Sequence, residues 1–289
     1  METMQIMGND QYISMNGVTI CYDDLGTGMI PVLFIHGFPF DKSSWQPQME
    51  FLKNTHRVIA YDIRGFGKST AGNEIASINL FADDLIKLMD ALLINKAFVC
   101  GLSMGGYILL NAVYRYPERF EGIILCDTQC LADSPATKEK RYKSITQIKE
   151  GGLKNYAETF VINVFCRETL VSKKELVEKI KDVIVSTSPL TITQSLRALA
   201  DRREMCTSLN EISIPALILC GKEDAANMLA QAEYLNQHIA NSTLHIIERA
   251  GHLSNLEQPD EFNQLLSDFI SGMGIRINDF YDTIKHYPS

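Results

Sequence analysis

The run Gly101-Leu102-Ser103-Met104-Gly105, with a further glycine at 106, constrains this chain more than any other feature. An apolar run of strand type, Ala97–Cys100, precedes it, and a helix-like run, Tyr107–Val113, follows. A strand turning sharply into a helix through G-x-S-x-G holds its serine on a strained backbone, with the hydroxyl clear of the sheet. Side chains at Gly101 or Gly105 would collide with the neighbouring strand and helix. The motif alone is common. With strand and helix on the correct sides it makes Ser103 a candidate nucleophile.

The rest of the chain supplies the sheet that such a turn needs. Short apolar runs alternate with longer amphipathic ones, the pattern of a mostly parallel sheet covered by helices. Strands are expected at Val32–Ile35, Arg57–Tyr61, Ala97–Cys100, Gly122–Cys126, Ala216–Cys220 and Thr243–Ile247. A hairpin turned by Asn16-Gly17 is expected to join Gln11–Met15 to Val18–Tyr22. Helices are expected at Ser44–Lys53, Ser77–Leu93, Met104–Tyr116, Met228–Ile239 and Pro259–Ile270. The alternation stops after Asp127: residues 129–206 read as helix after helix. An insertion there would sit as a cap over the carboxyl ends of the strands. The insertion is rich in basic residues, among them Lys140, Arg141, Lys173 and Arg202. That is either a solvated helical surface or a lid that attracts anionic substrates. Residues 1–128 and 207–272 would form the core, and 273–289 a tail with no expected place.

Composition narrows the function classes. A net charge of -8 over 289 residues argues against a nucleic-acid or anionic-membrane surface. No apolar run is long enough for a transmembrane helix. The first ten residues do not resemble a secretory signal. Cys100, Cys126 and Cys220 end apolar runs and read as reduced core thiols of a cytoplasmic protein. No spacing of Cys, His and carboxylates suggests a metal, and nothing calls for a cofactor. Gly67-Lys68-Ser69 imitates the end of a phosphate loop, but Asp62 stands where that loop needs a glycine. The oligomeric state is not legible.

A serine hydroxyl needs a base, and the base needs a group to hold it. His252, in Ala250-Gly251-His252-Leu253, falls on a loop after the last strand, on the same sheet edge as Ser103. It is the expected base. His36 reads instead as a brace for its own loop. Asp224, after the strand at Ala216, is the expected orienting acid, because Ser103, Asp224, His252 is the chain order of this arrangement. Asp127, one strand after the nucleophile, is the alternative. An oxyanion would be met by the backbone N–H groups of Met104 and Phe38.

Together these patterns resemble the α/β-hydrolase superfamily over most of the chain. They are His36-Gly37-Phe38-Pro39, Asp62-Ile63-Arg64-Gly65-Phe66-Gly67-Lys68-Ser69, the Gly101–Gly106 elbow, Gly221-Lys222-Glu223-Asp224 and the run from Gly251 through Glu257 to Pro259. The elbow and Asp127-Thr128 are most similar to the 3-oxoadipate enol-lactonase-like and carboxylesterase group. The resemblance implies an α/β-hydrolase fold with an inserted helical cap. It also implies a serine hydrolase acting on a small carboxylic ester or lactone through an acyl-enzyme. A cofactor-free perhydrolase and a ligand-binding receptor on the same fold are the alternatives. Serine at 103 argues against the dehalogenases and epoxide hydrolases that resemble this fold but use aspartate. One departure lies after Asp224: many relatives have Thr-Pro where this chain has Asn227-Met228, with Asn227 a suitable N-cap.

Overall fold

Apolar runs of four to six residues become strands when helices cover both faces of the sheet. A computed structural model describes residues 7–224 and 228–285, with side chains as far as residue 272. The Asn227 cap and the first six of the residues read for a signal lie outside the described residues. Eight strands form one sheet: β1 (Gly8–Met15), β2 (Val18–Leu25), β3 (Val32–Ile35), β4 (Val58–Tyr61), β5 (Ala97–Leu102), β6 (Phe120–Cys126), β7 (Ala216–Gly221) and β8 (Ser242–Ile247). Their order is β1-β2-β4-β3-β5-β6-β7-β8. β1 pairs antiparallel with β2, and β2 with β4; every later pairing is parallel. The inner strands β3, β4, β5 and β7 are buried throughout, whereas the edge strands β1 and β8 largely alternate between more and less exposed positions.

The helices of the sheet layer are α1 (Gln46–Leu52), α2 (Ile78–Ala91) and α3 (Met104–Arg115). Between β6 and β7 come α4 (Pro135–Val164), α5 (Arg167–Ser172), α6 (Lys174–Ser186) and α7 (Pro189–Ala200). The chain ends with α8 (Met228–His238), α9 (Ser254–Glu257) and α10 (Pro259–Lys285). Two boundaries differ from expectation. The first helix opens as a 3-10 turn at Lys42, because Asp41 caps the Ser43 N–H, and becomes α-helical only at Gln46. The last helix runs to Lys285 rather than Ile270. A mid-helix glycine costs only about 1 kcal/mol, so Gly272 weakens that helix without ending it.

Among the inserted helices, α7 is buried nearly all round from Thr191 to Ala200, whereas α6 buries one face. In α6 that face is Val177, Ile180 and Ile184, at helical spacing. α4 breaks at Gly152, whose φ of 76° takes the chain out of the helix for one residue. A disulfide joins Cys130 to Cys206, 76 residues apart, across the two ends of the insertion. Closing a loop of that length restricts the unfolded chain by about 4 kcal/mol in the chain-entropy view. Sequence reading missed this bond, although the two cysteines bracket the insertion. Cys100, Cys126 and Cys220 are free and buried, as expected. Gly67-Lys68 wraps a buried carboxylate: Asp62 accepts the N–H groups of Lys68 and Lys42, each at 2.8 Å. No helix among the described residues is long and apolar enough to cross a membrane.

Candidate active site

β5 leaves the sheet at Leu102, and Ser103 takes φ 52°, ψ -110° before α3 begins. Such a backbone costs about 1–3 kcal/mol and persists only where the surroundings enforce it. Here they do. A Cβ on Gly105 would lie 2.3 Å from the Ile35 carbonyl oxygen, and one on Gly101 would lie 2.5 Å from that of Gly105. The Ser103 N–H donates to the Cys126 carbonyl at 2.9 Å, and the Thr128 hydroxyl donates to the Ser103 carbonyl at 2.8 Å. The elbow is thus clamped from β6 as well as from its own helix.

The loops after β7 and β8 bring up the other two groups. His252 Nδ1 donates to Asp224 Oδ2 at 2.6 Å. The Asp224 side chain is 1% exposed and that of His252 13%, so the ring is the more accessible member of the pair. Burial pulls the His252 pKa down. The bonded Asp224 carboxylate, helped by Asp127 and Glu257, outweighs burial and pushes it up to about 9. The ring's contribution to stability is therefore complete below about pH 6.5 and is lost as pH rises through about 9.

Phe38, Ser103, Met104, Asp224 and His252 all line one cavity of about 640 Å³. Among the described residues, the N–H groups of Phe38 and Met104 have no hydrogen-bond acceptor. Two free donors beside a serine are what a developing oxyanion requires. The other two acid–base candidates are tied into the scaffold. His36 is fully buried; Nδ1–H donates to Gly37 O at 2.9 Å and Nε2 accepts from the Ile63 N–H at 3.0 Å. Burial pushes its pKa down to about 4, so it stays neutral and braces the loop of Phe38. Asp127 accepts the Gly221 N–H at 2.7 Å and is hydrogen-bonded to the Ser254 hydroxyl. Burial first, and then the Asp224 charge, push its carboxyl up to about 8. Asp224, not Asp127, carries the bond to the histidine.

The far wall of the cavity comes from the inserted helices, through Phe160, Asn163, Val164, Leu199, Lys140 and Arg141. Arg141 and Arg202 both bind Asp133, whose side chain is 1% exposed. Two cations on one carboxylate leave a net positive charge. Arg202 also donates to the Leu131 and Leu199 carbonyls and does not line the cavity, whereas Arg141 does. Arg202 also stacks on Tyr107, 4.3 Å from the ring centre. Sequence reading noted the basic lean of this segment but missed Asp133, the residue that organises it. It also missed Ser254 and Thr128, whose roles depend on contacts across the sheet.

A family model for the alpha/beta hydrolase fold matches residues 30–259. Among curated proteins, the chain is 31% identical to 3-oxoadipate enol-lactonase 2 of Acinetobacter baylyi over 252 residues, covering 87% of this chain and 92% of that protein. Among solved structures it is similar to a thermophilic esterase from Thermogutta terrifontis, with a TM-score of 0.86, 34% identity and coverage of 91% of this chain and 99% of that one. The enol-lactonase from Burkholderia xenovorans LB400 gives a TM-score of 0.85, 28% identity and coverage of 90% and 100%. With the eight-stranded sheet, the serine at its β5 elbow and a family match over most of its length, the chain belongs to the α/β-hydrolase fold family.

Proposed function

We propose that this hydrolase is a serine esterase or lactonase acting on a small carboxylic ester through an acyl-enzyme, with residues 129–206 as its cap. The observation that carries the reading is the Asp224–His252 hydrogen bond in the cavity lined by Ser103 and by two unengaged backbone donors. With Nδ1–H held by Asp224, the unprotonated imidazole, whose share grows as pH rises toward about 9, offers Nε2 as a base. His252 takes the Ser103 proton as the hydroxyl oxygen attacks the carbonyl carbon. The oxyanion accepts from the Phe38 and Met104 N–H groups. Collapse expels the alkoxide, which takes the proton from His252, and leaves the acyl group on Ser103. A water molecule then repeats the sequence: His252 takes its proton, the hydroxyl joins the acyl carbon, and the proton returns to Ser103.

The surplus charge at Arg141 favours a substrate bearing a carboxylate some distance from the reacting carbonyl. The likeness to an enol-lactonase and an esterase supports the same reaction class. The test is a panel of short-chain aryl esters and lactones, with and without a second carboxylate. Repeated turnover is expected, fastest with the anionic members. A single slow turnover would fit a receptor on this fold, and turnover only with peroxide would fit a perhydrolase.

A further inference from the structure

Glu257 is a buried carboxylate that the acyl-enzyme mechanism does not use. It is 0% exposed, and among the described residues its carboxylate has no cationic partner. A carboxylate survives such burial only when its oxygens are satisfied. Each oxygen here accepts one backbone N–H: Oε1 from Gly251 at 2.7 Å, and Oε2 from Cys166 at 2.8 Å. Gly251 immediately precedes His252. Cys166 joins α4 to α5 in the cap.

Other contacts run along the same seam. The His252 N–H donates to the Val164 carbonyl at 2.7 Å, and Lys173, from the cap, donates to the Glu257 carbonyl. The approach is so close that a Cβ on Gly251 would lie 2.7 Å from both the Cys166 nitrogen and the Val164 oxygen. Val164 lines the cavity beside Ser103. A substrate pressing on that part of the cap therefore presses on the histidine loop.

We propose that Glu257 is a positioning residue that ties the His252 loop to cap residues 164–166, so that the imidazole is aligned when the cap is seated over the cavity. The proposal rests on the reading of His252 as the base. Three carboxylates favour protonation of that ring: Asp224 from the loop after β7, Asp127 from the end of β6, and Glu257 from α9. Glu257 is bonded to the cap through the Cys166 N–H.

Glu257→Gln turns one acceptor into an NH2 group opposed to an N–H donor, and removes a charge that favours protonated His252. In a folded variant the expected result is a kcat about 10- to 100-fold lower with KM within about twofold, as for a small misplacement of a reacting group. The acid limb of kcat/KM should move to lower pH, and the His252 Nδ1–H proton resonance should broaden. A purely structural glutamate would lower Tm but leave kcat per folded enzyme and the limb unchanged, and that result would overturn the proposal. Lys173→Met, which keeps the carboxylate, serves if the first variant does not fold; a severalfold lower kcat is expected, and wild-type kcat would overturn the strap. If wild-type protein turns over no ester, the base assignment fails separately. The NMR titration of His252 still decides the strap, since identical midpoints and Nδ1–H signals in the wild type and Glu257→Gln would refute it.

Discussion

The carboxyl edge of the sheet and the helices above it are built on different rules. At the sheet edge, backbone meets backbone. The elbow glycines leave no room for a methyl group and Ser103 is held at φ 52°, with the Asp127 side chain as an added tie between the end of β7 and the start of α9. In the inserted helices, side chains do the holding: the apolar face of α6, and a buried Asp133 shared by two arginines. A backbone lock admits one geometry, which suits bond-making. A side-chain lock can be rebuilt by substitution, which suits the choice of substrate. Changes at the sheet edge, and along its seam with residues 164–173, should therefore act on kcat, and changes elsewhere in the inserted helices on KM.

The sharpest way to break that division is at the two buried aspartates. Asp224→Asn removes the charge that fixes the imidazole tautomer, and kcat/KM should fall by about 10⁴-fold. Asp127→Asn should do little at pH 7. Its carboxyl sits at about 8, so below that pH the asparagine imitates the group already present. Above pH 8 the profiles should part, because only the wild type gains a further negative charge beside His252. The reverse ranking, on variants with wild-type Tm, would move the orienting acid to β6 and remove the contrast drawn here.

A smaller effect is expected in the cap. Arg141→Gln should raise KM for carboxylate-bearing esters about tenfold, or 1.4 kcal/mol, with kcat unchanged. Neutral esters should be unaffected. Added salt should weaken the anionic substrates selectively in the wild type but not in the variant. A loss of kcat for both substrate classes would place Arg141 with the chemistry rather than with selection.

How much of this was legible depends on the range of the contact involved. The strands were readable because each buried run is apolar along its whole length, as Val32–Ile35 is. Ser103, Asp224 and His252 were readable because each lies in a short motif at a strand end, and they do line one cavity with Phe38 and Met104. The tie between Asp133, Arg141 and Arg202 was not, since nothing local marks an aspartate that will bind an arginine 69 residues away. The same holds for Ser254, which meets Asp127 across 127 residues. The 3-10 opening at Lys42 was missed because Asp41 caps three residues ahead of the expected start at Ser44. The last helix runs on from the expected Ile270 to Lys285, past a glycine that costs too little to end it.

The central claim is that Ser103 is the nucleophile of an acyl-transfer site. Treatment with a fluorophosphonate, followed by digestion and mass measurement of the elbow peptide, tests it most directly. One adduct is expected, on Ser103, formed in step with the loss of esterase activity and absent from Ser103→Ala. Labelling of folded Ser103→Ala at the wild-type rate, or full activity after Ser103 is blocked, would contradict the account.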